Sequence, residues 1–100
     1  MPKPDPKTKK TEYVFKTTPA FKRALESLNG TQRTQADAAF KIFKADPFDP
    51  QLRPHKINKL TSRYRRTIHS VTIAGDLKAV FYVDGNSVVS VDIGTHDIYK

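Results

Sequence analysis

Residues 67–93 read TIHSVTI AGD LKAVFYV DGN SVVSVDI, and this stretch decides the fold. It holds three seven-residue runs rich in β-branched and aromatic side chains. Such side chains favour the pleated, half-buried surface of a sheet. The separators Ala74-Gly75-Asp76 and Asp84-Gly85-Asn86 supply the glycine and short polar residues of tight hairpins. The reading is a three-stranded antiparallel meander. Strict alternation puts Leu77, Ala79, Phe81 and Val83 on one side of their strand, and Val89, Val91 and Ile93 on one side of theirs. The opposite sides then hold Lys78, Val80 and Tyr82, and Val88, Ser90 and Asp92. A mixed face of this kind can be left to solvent in an antiparallel sheet.

Upstream the period changes from two to that of a helix. Thr18-Pro19 marks a helix start, with threonine as N-cap and proline at the first helical position. Phe21, Ala24, Leu25 and Leu28 form its apolar face, and Asn29-Gly30 supplies the stop. A second helix is predicted from about Thr31 to Ala45, its stripe formed by Ala36, Ala39, Phe40 and Phe43 and its end by Asp46-Pro47. Before both, Glu12–Lys16 (EYVFK) has the make-up of a short strand that joins the sheet edge. Residues 46–61 (DPFDPQLRPHKINKLT) show no clear periodicity. The order β-α-α-β-β-β describes an α+β domain, a helical hairpin packed on one face of a small antiparallel sheet. Residues 12–100 are expected to form that single domain, and residues 1–11, with three prolines and four lysines, a flexible basic arm.

Charge is distributed unevenly. The net charge of +8 arises from +10 in residues 1–70 (16 Lys/Arg, 6 Asp/Glu) and −2 in residues 71–100 (2 and 4). An anionic partner is implied. Cysteine is absent, which excludes disulfide and thiol chemistry. The start MPKPDPKTKK has no apolar run of a secretory signal, and no stretch has the roughly 20 apolar residues of a membrane span. A cytoplasmic protein without membrane contact is the expectation.

Arg53, His55, Lys56, Lys59, Arg63, Arg65 and Arg66 place six formal cations and a histidine in fourteen residues that contain no acid. Cations so concentrated repel one another, and phosphate contact gives them a purpose. Tyr64 within the run is suited to stacking on an unpaired base. An acidic protein partner and a plain solvated loop are the other readings. The histidines at 55, 69 and 96 match no metal-ligand spacing, so no metal or other cofactor is expected. His96, just past a strand end, is well placed for proton transfer near neutral pH. If Gly75-Asp76 forms a two-residue turn, His69 lies on the face of Lys78; a three-residue turn puts it on the core side.

The segments RPHKINKL, TIHSVTI-AGD-LKAVFYV and VVSVDIGTHDIY resemble the RelE/ParE toxin superfamily, most closely its RelE- and YafQ-like ribosome-dependent mRNA endonucleases. The resemblance covers Leu52 to Tyr99 in detail, and the preceding hairpin fits the same layout. It implies a metal-independent endoribonuclease, the toxin of a type II toxin–antitoxin pair, that inhibits translation. His96 then corresponds to the terminal-strand histidine or arginine used at the scissile phosphate, and His55 to a catalytic histidine of YafQ-like members. Asp76 matches an acidic residue of their site, Lys78 falls where RelE-like members place a catalytic arginine, and Tyr99 lies near their C-terminal aromatic, so the resemblance implies a catalytic set of His96, His55, Asp76, Lys78 and Tyr99. His69 aligns with a catalytic lysine when no gap is allowed. Arg53, Lys56, Lys59, Arg63, Tyr64, Arg65, Arg66 and His69 are the expected RNA contacts. The implied partners are a cognate acidic antitoxin and mRNA on the ribosome.

The sequence also departs from the pattern. Lys78 keeps the charge of an arginine but loses its bidentate geometry, and Asp92 stands where YafQ-like members carry an arginine. The spacing from His96 to Tyr99 is shorter than in many RelE members. Two other functions remain open at this level: a ParE-like inhibitor of gyrase, and a relative that binds RNA with weak or no cleavage.

Overall fold

The computed structural model describes residues 13–99, so the expected arm of residues 1–11 lies outside the described residues. The elements run β1 (Val14–Thr17), α1 (Pro19–Glu26), α2 (Gly30–Ala45), a 3-10 turn (Pro50–Leu52), β2 (His55–Lys56), α3 (Asn58–Tyr64), β3 (His69–Ala74), β4 (Leu77–Asp84), β5 (Ser87–Gly94) and a closing 3-10 turn (His96–Tyr99). The five strands form one sheet in the order β1-β5-β4-β3-β2. The meander β3-β4-β5 is its antiparallel centre. β1 joins the edge as expected but runs parallel to β5, so the sheet is mixed.

Local signals set the helix ends. Thr18 is the N-cap of α1, its Oγ1 accepting from Phe21 N at 3.1 Å, and Pro19 follows at the first helical position. Asn29-Gly30 opens α2; it does not stop α1, which ends at Glu26. The reason is a capping box. Asn29 Oδ1 accepts from Gln32 N at 2.8 Å while Gln32 Oε1 accepts from Asn29 N at 3.2 Å, so two otherwise orphaned donors are satisfied.

The hairpin α1-α2 covers one face of the sheet, called here the hairpin face. Phe21, Ala36, Ala39 and Phe43 are buried there with Val71, Leu77, Ala79, Phe81, Val88 and Ile93. Burying each of the larger side chains contributes roughly 1.5–3 kcal/mol. Phe43 stands edge-on to Phe81 with ring centroids 5.0 Å apart, so α2 is keyed to the middle of β4.

β5 departs from the alternation read in the sequence. Phe81 pairs with Ser90 but Val80 pairs with Asp92, leaving Val91 as an inserted residue. This bulge reverses the alternation beyond it, bringing Asp92 to the far face and Ile93 to the hairpin face, while the tight β4-β5 turn sets the sides of the residues before it. Val88 belongs to the hairpin-face core, and Val91 packs with Val80 on the opposite, far face. Thr18 fixes the bulge: its N donates to Ser90 O at 3.1 Å and its Oγ1 donates to Val91 O at 3.0 Å. Among the described residues, no helix is long and apolar enough to cross a membrane.

Candidate nucleic-acid interface

The segment read as aperiodic folds into the 3-10 turn, β2 and the start of α3. Ile57, Leu60 and Tyr64 fall at i, i+3 and i+7, which puts them on one side of a helix. Leu60, 1% exposed, packs on Ile68, Val80 and Val91, so α3 lies on the far face of the sheet. Ile57 N donates to Ile68 O at 2.9 Å, and Thr61 Oγ1 accepts from Ile68 N at 2.9 Å. The helix is therefore tied directly to the start of β3. It stops at Arg65, which takes the left-handed conformation at φ 58°.

Anchored through Leu60, α3 turns its cations outward. Lys59 and Arg63, one helical turn apart, are exposed, as are Tyr64, Arg65 and Arg66. Arg66 is held over the Tyr82 ring at 4.6 Å from its centroid and lies 3.7 Å from an Asp84 carboxylate oxygen. Arg53 is exposed at the end of the 3-10 turn, also left-handed at φ 51°.

β2 adds an edge strand to β3 by pairing His55 with Ser70 and Lys56 with His69. Since Ser70 pairs with Val80 and Val80 with Asp92, His55, Ser70, Val80 and Asp92 form one row across the far face. Lys78 belongs to that face two residues along, paired with Thr72 on one side and Gly94 on the other. Its Nζ donates to Thr72 Oγ1 at 3.0 Å, which aims the ammonium. With strands about 4.8 Å apart and about 3.4 Å per residue, the Cα atoms of His55 and Lys78 are separated by about 12 Å. Asp76 is exposed at the β3-β4 turn, next but one to Lys78. The backbone of His96 opens the closing turn two residues beyond Gly94, at the same end of the sheet.

His69 belongs elsewhere. The β3-β4 turn has two residues, Ala74 pairing with Leu77, but Ile73 is inserted as a second bulge, and Thr72 pairs with Lys78. The slip brings His69 opposite Phe81 on the hairpin face. There its ring lies 5.0 Å from the Phe48 ring and 5.3 Å from that of Phe81. Burial, together with the Lys56 ammonium, pushes its pKa down. Lys56, its pairing partner, shares that side.

The far face is also less open than the sequence reading expected. Besides α3, the closing turn folds back over it, and Ile98 and Tyr99 pack on the cluster of Leu60, Ile68, Val80 and Val91. Tyr99 reaches β3, where its hydroxyl shares a hydrogen bond with Ser70 Oγ. Apolar surface that alternation left exposed is covered because a two-layer sheet with Val80 and Val91 on its second face gains from burying them. Asp92 lies partly under this cover, and burial pushes its carboxyl pKa up while a 2.9 Å hydrogen bond from Ile93 N opposes the rise.

The fold thus brings His55, Lys78 and the His96 turn to the far face, with Asp76 at its β3-β4 end, while α3 and its cations lie on the same face toward the other end, where Arg66 meets Tyr82 and Asp84. It sends His69 and Lys56 to the other side. Sequence reasoning missed α3, whose signal was the spacing of Ile57, Leu60 and Tyr64. It also missed Ser70, which carries no local signal at all. Among the described residues, no group of three or more histidines and acids is placed to hold a metal ion.

By sequence, the chain matches no protein-family model and no curated protein. Its architecture does match solved structures. The RelE of a RelE–RelB complex from the archaeon Pyrococcus horikoshii is 13% identical with a TM-score of 0.64, over 84% of this chain and 94% of that one. YoeB from Staphylococcus aureus, solved as a dimer, is 14% identical with a TM-score of 0.64, over 85% and 98%. A metal-bound toxin from Helicobacter pylori is 14% identical with a TM-score of 0.59, over 86% and 97%. The chain has the RelE-like toxin fold.

Proposed function

We propose that this chain, built on the RelE-like fold, is the toxin of a type II toxin–antitoxin pair and a metal-independent endoribonuclease that cuts mRNA on the ribosome. The observation that carries the proposal is the convergence on one sheet face of Lys78, the edge histidine His55 and the turn that begins at His96, a face that also carries the exposed cations of α3 toward its other end.

Cleavage without a metal needs a base for the ribose 2′-OH, a cation on the phosphate and an acid for the leaving oxygen. The 2′ oxygen attacks phosphorus as its proton passes to the base. The bond from phosphorus to the 5′ oxygen then breaks, and that oxygen takes a proton from the acid. The products are a 2′,3′-cyclic phosphate and a 5′-hydroxyl. His96 and His55, with Asp76 nearby, are the proton carriers in this scheme, because an imidazole has one nitrogen that can accept a proton and one that can donate it. Lys78, steadied by Thr72, clamps the phosphate. Separated by about 12 Å at Cα, His55 and Lys78 serve one phosphodiester from opposite sides. Lys59, Arg63, Arg65 and Arg53 hold neighbouring phosphates, and exposed Tyr64 stacks on a base. Arg66 supports this surface from its place between Tyr82 and Asp84. Lys56 and His69 lie outside the scheme. Tyr99, engaged by Ser70, borders it.

Dependence on a 2′-OH restricts the substrate to RNA, and the ribosome supplies the ordering that a surface this shallow does not. An acidic antitoxin segment complements the +8 charge. The test is induction in growing cells followed by primer extension on mRNA. Cuts within codons, abolished by His96→Ala, are expected. Intact mRNA with arrested gyrase on plasmid DNA would replace the nuclease by a topoisomerase inhibitor.

A further inference from the structure

Among the described residues, Ser70 is the one polar side chain sealed on the far face, 0% exposed in β3. A buried hydroxyl there needs a partner, and Tyr99, 29 residues further on, provides it. Ser70 also pairs directly with His55 across the edge of the sheet. Ser70 therefore meets both chain segments to which proton transfer has been assigned: the strand of His55 through its backbone register, the turn of His96 through its hydroxyl on Tyr99.

The turn has two more restraints. Ile98 N donates to Thr95 O at 3.0 Å, closing the backbone around residues 96 and 97. Ile98 then rests on Gly94, where a Cβ would come within 2.7 Å of Ile98 Cγ2. Glycine at 94 is thus required by a close approach. The backbone of His96 is set between a foot at Gly94, beside Lys78, and an anchor at Ser70.

We propose that Ser70 is a positioning residue: by holding Tyr99 it fixes the His96 turn beside Lys78, and the Tyr99 hydroxyl is an anchor, not a participant in the reaction. The proposal rests on the nuclease reading above. It reverses the role that the family resemblance assigns to the C-terminal tyrosine.

A latch made by this pair of hydroxyls has a distinct signature. Ser70→Ala, Tyr99→Phe and the double variant of the full chain are compared for cleavage of ribosome-bound mRNA. Amide hydrogen exchange of residues 95–99 is followed in the same proteins. Each single variant is expected to lower kcat five- to tenfold with KM within twofold, and the double variant to be no worse than either alone. Exchange at His96 should quicken about as much. Gly94→Ala, which lifts Ile98 and leaves both hydroxyls in place, should reproduce the loss of kcat and the faster exchange. A Tyr99→Phe effect far larger than that of Ser70→Ala, or effects that multiply in the double variant, would mean that the phenol touches RNA and would overturn the anchor. Unchanged exchange in Ser70→Ala overturns the latch even if cleavage falls. A wild-type protein that cleaves no RNA overturns the nuclease reading, and the positioning role with it.

Discussion

His69 and Lys78 stand on opposite faces of the sheet, although a two-residue turn joins their strands. The inserted Ile73 is the cause: it slips the register by one, so that Lys78 pairs with Thr72 and His69 pairs with Phe81. Two side chains that strict alternation could place together therefore separate in function. Lys78→Ala should reduce RNA cleavage about 100-fold with little change in stability, since its half-buried side chain holds one hydrogen bond, to the Thr72 hydroxyl. His69→Ala should leave cleavage within threefold and lower stability by about 1–2 kcal/mol through lost ring contacts. Parallel cleavage and urea-unfolding assays of the two variants measure the contrast.

The same imidazole makes stability depend on pH. Its folded-state pKa lies below the ordinary 6.5, because burial and Lys56 disfavour the charged ring. The unfolded chain therefore binds the proton first as pH falls, and stability should decline from about pH 6.5 down to the folded-state value, then level off. Urea midpoints at pH 8, 7, 6 and 5 read this slope. His69→Phe should flatten it; an unaltered slope in that variant would assign the effect to another group.

Asp92 has the opposite linkage. Its pKa is raised, so the folded state holds the proton more tightly than the unfolded chain. Stability that this group supports at low pH is lost as pH rises from the ordinary 3.8 through the raised folded value. Asp92→Asn should therefore be neutral or mildly stabilising at pH 7, because it keeps an oxygen for Ile93 N and removes a partly buried charge. A thermal melt that drops by more than about 4 °C would instead show that the carboxylate makes a favourable charge contact.

Leu60 is the buried residue of α3 and its main root in the far-face core, so its truncation should act at a distance. Leu60→Ala is expected to cost about 2–4 kcal/mol and to speed amide exchange across Asn58–Tyr64 ahead of the meander. RNA affinity should fall with it, because the cations of α3 lose their common orientation.

Those cations also predict a salt dependence. Binding to RNA of fixed length should weaken as salt rises, and replacing Lys59 or Arg63 by Ala should each lower the logarithmic slope by about 0.7 for single-stranded RNA. Fluorescence anisotropy between 50 and 200 mM salt tests it. A slope that neither substitution alters would move the phosphate track off α3.

The sequence by itself determined the meander, its two glycine turns and the hairpin of helices. Each was written in local code: residues of one period, then a turn residue, then residues of another. Thr18-Pro19 announced α1 for the same reason, and the capping box around Asn29 was equally local, though Asn29-Gly30 was read as an end and serves as a start. The charge asymmetry was legible because it needs no geometry.

What only the tertiary structure decided was register and cover. The insertions at Ile73 and Val91 have no local signature: either strand alternates acceptably without a bulge, and the slip follows from pairing with β4 and from the hold of Thr18 on β5. They moved His69 and Ile93 to the hairpin face and Asp92 to the far one. The bond between Ser70 and Tyr99 was equally invisible, because a serine in a strand gains its meaning from a residue 29 positions away. Periodicity reports which side chains share a face of one segment. Which face meets which neighbour is fixed only when the segments pair, since the energy that decides it belongs to contacts between them.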